Sequence, residues 1–134
     1  MDNTLYIDAN VSDAGFFVYL EDVDETGNVR YITEGLFRAI HRNSKGDLGY
    51  KDIVPQYTYK KKDSAPLRQG EVTKLEFDLL PTSYIFRKNH SIRIAISCAD
   101  KDHYKTITPN GAKINVHRNT IHASKITLPV VIQQ

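Results

Sequence analysis

The sequence predicts an all-β protein built as a two-sheet sandwich. Three observations carry that expectation. Apolar and polar residues alternate along most of the chain, as they do in strands that bury one face. No segment of ten or more residues carries a 3.6-residue apolar stripe. Turns bearing glycine or proline separate seven or eight short runs, the punctuation of a sandwich. The chain has 134 residues, close to the usual size of one domain. A single sandwich domain over residues 1–134 is therefore expected.

Leu5, Ile7, Ala9 and Val11 alternate with Tyr6, Asp8 and Asn10, which marks a half-buried first strand. FFVYLEDV at 16–23 is aromatic or β-branched on both phases, with Phe16, Val18 and Leu20 in one row and Phe17 and Tyr19 in the other. It reads as a central strand covered on both faces for part of its length. DETG at 24–27 is a turn in which Gly27 supplies positive φ. VRYIT at 29–33 pairs back as a short hairpin arm, and GLFRAIHR at 35–42 follows as another strand. Its rows are Leu36, Arg38, Ile40 and Arg42 against Phe37, Ala39 and His41. A buried Arg38 would need a partner, because an unpaired interior charge is very costly.

Residues 43–70 break the rhythm with Gly46, Gly49, Pro55, Pro66 and Gly70. A loop this long is uncommon without purpose. It is expected to hold a helical turn or to lie across a neighbouring domain. Alternation returns at 71–81, with Leu75, Phe77 and Leu79 inward and Lys74, Glu76 and Asp78 outward. PTSYIF at 81–86 turns a corner, and HSIRIAISC at 90–98 is the clearest strand, with Ile92, Ile94 and Ile96 in one row. INVH at 114–117 is a short strand beyond a polar loop. SKITLPVVI at 124–132 closes the chain with Ile126, Leu128, Val130 and Ile132 in register. Pro129 lacks a donor and points to an edge strand. A jelly roll and an immunoglobulin-like sandwich both fit this pattern.

Composition removes several classes of function. The formal charge of +2 comes from 18 basic and 16 acidic residues, a balance that implies no nucleic acid or other polyanionic partner. The run Lys60-Lys61-Lys62 reads as a solvated loop rim. Cys98, the single cysteine, excludes an internal disulfide and reads as a small buried hydrophobe. It leaves the compartment open between cytoplasmic and exported. No apolar stretch is long enough to span a membrane as a helix. The first residues carry no basic and apolar leader pattern. They enter a strand almost at once, as in a domain excised from a longer parent.

Catalytic chemistry is not expected of this chain. The strained Gly-x-Ser-x-Gly elbow of a serine hydrolase does not occur. Ser97, Asp100, Asp102 and His103 supply the residue types of a triad, but neighbours on a strand end do not reach its geometry. His103, His117 and His122 lack the pattern of a zinc site. The stretch from Asp22 to Glu34 resembles a calcium loop at Asp22, Asp24 and Gly27, yet Thr33 stands where the closing carboxylate belongs. A hairpin turn is the better reading, and no metal or cofactor is expected. Phe37, Tyr50, Tyr57, Tyr59 and Tyr104 have the chemistry of a sugar-stacking platform, although tyrosines near loops more often serve core or interface packing.

Three runs carry a more specific signal. They are YLEDVDETGNVRYITEGLFRAIHR at 19–42, LRQGEVTKLEFDLLPTSYIFRKNHSIRIAISCAD at 67–100 and VHRNTIHASKITLPV at 116–130. In order and spacing the set resembles the C-terminal non-catalytic domain of X-prolyl dipeptidyl-peptidases and cocaine-esterase-like serine hydrolases. The resemblance implies a galactose-binding-like jelly roll. It implies as partner an α/β-hydrolase domain of the same parent chain, which would hold the whole Ser–Asp–His triad. The jelly roll would shape the active-site entrance, stabilise the enzyme and contribute to a homo-oligomer. The alternative is a stand-alone carbohydrate- or ligand-binding module, in which Tyr50, Tyr57, Tyr59 and Tyr104 bind.

The resemblance also suggests structural or interface residues. Asp22, Asp24 and Gly27 match the family's Asp-Val-x-x-x-Gly turn, and Gly35, Arg38, His41 and Arg42 its Glu-Gly-x-x-Arg-x-x-x-Arg stretch. Arg38 is expected to bind a carboxylate or carbonyls at a sheet edge or domain seam. Gly70 and Glu71 match a turn, with Gln69 where proline is usual. Phe86, His90 and Arg93 match the Phe-x-x-Gly-His-x-x-Arg element. Asn89 stands in place of its glycine and Ser91 in place of a frequent arginine. Asparagine is the next best residue at positive φ. The family domain also begins some tens of residues earlier, so the chain is either a reduced variant or a domain cut late, and a late cut would leave an unpaired edge or an uncovered face.

Overall fold

The structure, a computed structural model, describes residues 1–46, 49 and 55–131. Its strands are β1 (Asp2–Ala9), β2 (Gly15–Val23), β3 (Val29–Arg38), β4 (Thr73–Asp78), β5 (Ser91–Ser97), β6 (Ile114–Val116) and β7 (Lys125–Thr127). All pairings are antiparallel. One sheet has the order β4-β1-β6, with β7 also on β1; the other has the order β3-β2-β5. The all-β, two-sheet expectation holds.

The core lies between the sheets. Leu5, Ile7 and Ala9 of β1 and Leu75, Phe77 and Leu79 of the β4 segment face Phe16, Val18 and Leu20 of β2 and Phe37 of β3. Phe37 stacks on Phe77 at 5.3 Å between ring centres and meets Tyr57 at 4.7 Å. Each such apolar side chain contributes about 1.5–3 kcal/mol when fully buried. Phe16, Phe17 and Val18 are all buried, so β2 is covered on both faces over its first half. The turn after β2 is built by Asp24. Its carboxylate accepts from the Thr26 amide and hydroxyl and from the Asn28 amide and side chain, with Gly27 at φ +87°.

Residues 29–42 depart from expectation. The two runs at 29–33 and 35–42 form one strand, β3, followed by a 3-10 turn at Ala39–His41. Its buried row is Thr33, Gly35, Phe37 and Ala39. Gly35 sits in that row because the sheets nearly touch there. A methyl group on its Cα would stand 2.4 Å from the Asp78 carbonyl oxygen. The Leu80 amide donates to the Glu34 carbonyl at 2.8 Å, and Thr33 Oγ1 to the Leu80 carbonyl at 2.9 Å. These bonds close the sandwich along β3 and β4.

The described part of the long loop packs on the core. Tyr57 and Leu67 are buried, Lys45 bridges to Tyr57, and the expected helical turn is the 3-10 segment Lys61–Asp63. The Leu67 amide donates to the Ser12 carbonyl at 2.7 Å.

The opposite side stays open. β5 pairs with β2 in an unbroken register that sets Ile92, Ile94 and Ile96 beside Asp22, Leu20 and Val18. Those β2 residues are buried, yet Ile92 is 52% and Ile96 40% exposed. The expected closing strand at 124–132 shrinks to three residues, with Val130 and Val131 exposed; Ile132 lies outside the described residues. Strands β6 and β7 are too short to cover β5. Cys98, expected to be buried, is only partly so.

Candidate functional site

Three clusters hold the residues singled out above. The first joins β2 to the corner before β5. Asp22 is buried; its carboxylate accepts from the Tyr84 hydroxyl at 2.6 Å, and His90 Nδ1 lies 3.0 Å from both of its oxygens. Phe86 packs edge-on against Tyr84 at 5.0 Å and against the core. Asn89 takes φ +67°, as its place beside His90 suggests. Arg93 reaches back to Glu21 at 2.5 Å. Asp22, Phe86, His90 and Arg93 thus fasten one corner, while Asp24 is committed to its own turn. The two aspartates point into different networks, so they do not form a calcium site.

The Tyr84 hydrogen bond, then that of His90, holds the Asp22 carboxyl below its ordinary pKa. A carboxylate depressed on folding stabilises fully above its unfolded pKa of about 3.9. It loses that contribution as pH falls through the lower folded value. Asp22→Asn is therefore expected to lower Tm at neutral pH. The gap from the parent chain should narrow as pH drops below about 4. Thermal melts followed by circular dichroism across that range measure it, and a gap independent of pH would refute the assignment.

The second cluster lies around the 3-10 turn after β3. Arg38 faces solvent and pairs with Asp13 at 2.7 Å, so its charge is never buried. Its row is the outer one because Gly35 and Phe37 occupy the inner. Arg42 donates to the carbonyls of Ala39, Ala65 and Pro66, tying the long loop to the strand end. His41 is buried and meets the Tyr59 ring edge-on at 5.1 Å. Beside it runs a shallow groove of about 200 Å³ lined by Phe17, Leu36, Tyr59, Tyr104, Lys105 and Ile107 among others.

The platform tyrosines share no single exposed face, although the Tyr57 and Tyr59 rings lie 6.0 Å apart. Tyr57 belongs to the core, its hydroxyl bonded to the Glu76 carbonyl and its pKa pushed up to about 12 by burial. Tyr59 and Tyr104 stand at the surface along the groove. Tyr50 lies outside the described residues.

The triad-like set is also separated. Ser97 Oγ donates to the Ala99 carbonyl at 2.7 Å, while His103 Nδ1 meets Asp100 at 3.0 Å. Asp100 also accepts from Tyr19 at 3.0 Å. Serine and histidine are each committed elsewhere. His117 Nε2 lies 2.6 Å from Asp8, and His122 packs on Tyr6 and His117. No three metal-ligating side chains converge among the described residues.

The third feature is a cleft of about 520 Å³ at the open side, lined by Asn3, Leu5, Ile94, Ile96, Val116 and Ile126, with Arg118, Ser124 and Lys125. Four strands contribute to it, so no local spacing announces it.

None of these clusters assembles a nucleophile with a base. Comparison with known proteins gives the same answer. Residues 2–129 match the family described as the X-Pro dipeptidyl-peptidase C-terminal non-catalytic domain. The chain belongs to that family. Two proteins, from Mycobacterium bovis and Mycobacterium tuberculosis, each provisionally named a serine esterase, are 50% identical to it over 129 residues. That stretch is 96% of this chain and 20% of either relative. The chain thus spans about one fifth of the length of the curated relatives it matches. In this X-Pro dipeptidyl-peptidase C-terminal domain, the charged residues of the family-like stretches make contacts within the sandwich: Asp22 with Tyr84 and His90, Arg38 with Asp13, Arg42 with loop carbonyls.

Proposed function

We propose that residues 1–134 form one accessory domain of a serine hydrolase, a galactose-binding-like jelly roll docked on an α/β-hydrolase domain of the same polypeptide. One observation carries this reading: the chain is 50% identical to proteins named serine esterases yet matches only a fifth of their length. The triad belongs to the remainder, and this domain shapes the entrance and stabilises the whole. Substrates would be esters, amides or X-Pro dipeptides. Arg38, beside the groove, and Arg93, on the outer face of β5, are the interface residues in this reading. Asp22, Asp24, His41, Arg42, Phe86 and His90 hold the surface in shape.

The isolated chain is expected to release no p-nitrophenol from p-nitrophenyl acetate and no p-nitroaniline from an X-Pro anilide above buffer rates. A reading frame extending upstream should encode a Gly-x-Ser-x-Gly elbow, and the longer polypeptide should turn over one of these substrates. Turnover by the isolated chain that disappears in Ser97→Ala would overturn the proposal.

The groove beside Tyr59 and Tyr104 supports the second reading, a ligand-binding module. That reading requires glycan binding by the isolated chain that weakens at least about tenfold in Tyr104→Ala, the loss expected of one aromatic contact.

A further inference from the structure

We infer that His117 and His122 form a two-imidazole site for a divalent transition-metal ion of the zinc type, with Asp8 orienting His117 from behind. Arg118, Asn119, Thr120 and Ile121 separate the two histidines, a spacing found in the histidine half of zinc motifs. The cysteine half of such a motif is missing, and no third ligand converges among the described residues. A closed structural zinc site, which needs four protein ligands, is therefore excluded. A site in which two imidazoles hold the ion and solvent completes its shell is not. Imidazole is the ligand type that suits zinc, copper and nickel.

The rings already have nearly the separation that chelation requires. Their centres lie 5.7 Å apart with the planes inclined at 65°, so the rings are not stacked. Two imidazoles on one tetrahedral ion, each nitrogen about 2.0–2.1 Å from the metal, have centres about 5 Å apart. His117 Nε2 lies 2.6 Å from Asp8 Oδ2, and the other oxygen of Asp8 accepts from Asn115 Nδ2 at 2.9 Å. An imidazole that donates its Nε2 proton to a carboxylate presents Nδ1 as a bare lone pair, the arrangement by which outer carboxylates orient metal-binding histidines. Among the described residues no hydrogen bond occupies His117 Nδ1 or the ring of His122. The His122 ring meets only other rings there, those of Tyr6 and His117. The His117 side chain is 25% exposed, so an ion can reach it.

The backbone holds the pair in place before any ion arrives. The segment between the histidines is a closed hairpin in which Arg118 bridges to Ala123. Asn119 Oδ1 accepts from the Ile121 amide at 3.0 Å and the His122 amide at 2.7 Å. The Ser124 amide donates to the His117 carbonyl at 3.2 Å. β1 anchors both ends, since the His117 amide donates to the Tyr6 carbonyl at 2.8 Å and the Tyr6 amide to Ser124 Oγ at 2.9 Å. Ligands fixed by their own scaffold cost little ordering when the ion binds. The other histidines lack this combination. His90 on Asp22 and His103 on Asp100 have a carboxylate but no second imidazole beside them among the described residues, and His41 is buried against Tyr59. The inference goes beyond the hydrolase reading, and every group it uses lies within this chain.

Calorimetric titration of the untagged 134-residue chain with zinc chloride, after chelator treatment, should show about one ion bound per chain, with a dissociation constant of about 100 μM or tighter. His117→Ala and His122→Ala should each weaken binding by about tenfold or more, and circular dichroism checks that both variants fold. Asp8→Asn, which keeps both imidazoles, should weaken it by about tenfold or more, the loss typical of an outer-shell partner. A measurement on the unaltered chain locates the ion without any variant. Substoichiometric Ni²⁺ should broaden the ring proton signals of His117 and His122 before those of His41, His90 and His103. No uptake of zinc overturns the proposal. So does uptake that survives both histidine variants, or that is lost in only one of them, and so does broadening led by His103. Binding unchanged in Asp8→Asn would overturn the part assigned to that carboxylate.

Discussion

Gly35→Ala is expected to destabilise the sandwich by about 3 kcal/mol or more, the upper range for forcing atoms into a packed interior. The added methyl would meet the Asp78 carbonyl oxygen at 2.4 Å and the Leu79 Cα at 3.2 Å. Both are backbone atoms, and Asp78 is held in β4 by pairing to Asp2. Neither sheet can yield without breaking the Leu80–Glu34 and Thr33–Leu80 bonds that close this edge. Gly27→Ala is the control. Gly27 has φ +87° and open space around it, so alanine there suffers only backbone strain, about 1–2 kcal/mol. Urea denaturation followed by circular dichroism compares the two. A loss for Gly35→Ala no greater than that for Gly27→Ala would show that the sheets are not in contact at this point.

The contrast between these glycines marks the limit of what the sequence discloses. Gly27 announced itself, because a turn between two strands requires a residue that accepts positive φ. Gly35 did not, because close approach of a second sheet leaves no local trace. The pattern places it at a boundary between two strands, yet it lies inside one, where a Cβ has no room. Period two was reliable in β1 and β4, where Leu5, Ile7, Leu75 and Phe77 meet the opposite sheet and are buried. It misled in β5. Alternation shows which side chains share a face, not whether anything covers that face. Cover depends on β6 and β7, which stop after three residues each.

The candidate site follows the same logic. Asp22, His90 and Arg93 were singled out from the family-like stretches, but their connection was not, since Asp22 meets Tyr84 and His90 across 62 and 68 residues of chain. Tyr84 was missed altogether; it lies in a corner with no period. Tyr57 sat beside Tyr59 in the aromatic group, yet the bridge to Lys45 turns it into the core while Tyr59 stays exposed. Residues two apart on an extended segment share a face, so spacing alone places these two tyrosines together; they part because Tyr59 leaves the extended conformation at φ +52°.

The closed and open sides of the sandwich should respond very differently to truncation of their apolar side chains. Phe16 and Ile96 both project from the inner face of the same sheet, two residues apart in register along β2 and β5. Phe16 is 1% exposed and is the largest fully buried side chain. Removing its ring leaves a cavity that close-packed neighbours cannot fill, and Phe16→Ala is expected to lose about 3–5 kcal/mol. That is a large share of the roughly 5–15 kcal/mol that holds a domain together. Ile96 already lines an open cleft and is 40% exposed. Its truncation opens no new cavity and forfeits only part of its burial, so Ile96→Ala should cost about 1 kcal/mol or less. Equal losses would mean that the β5 side is packed as tightly as the β2 core.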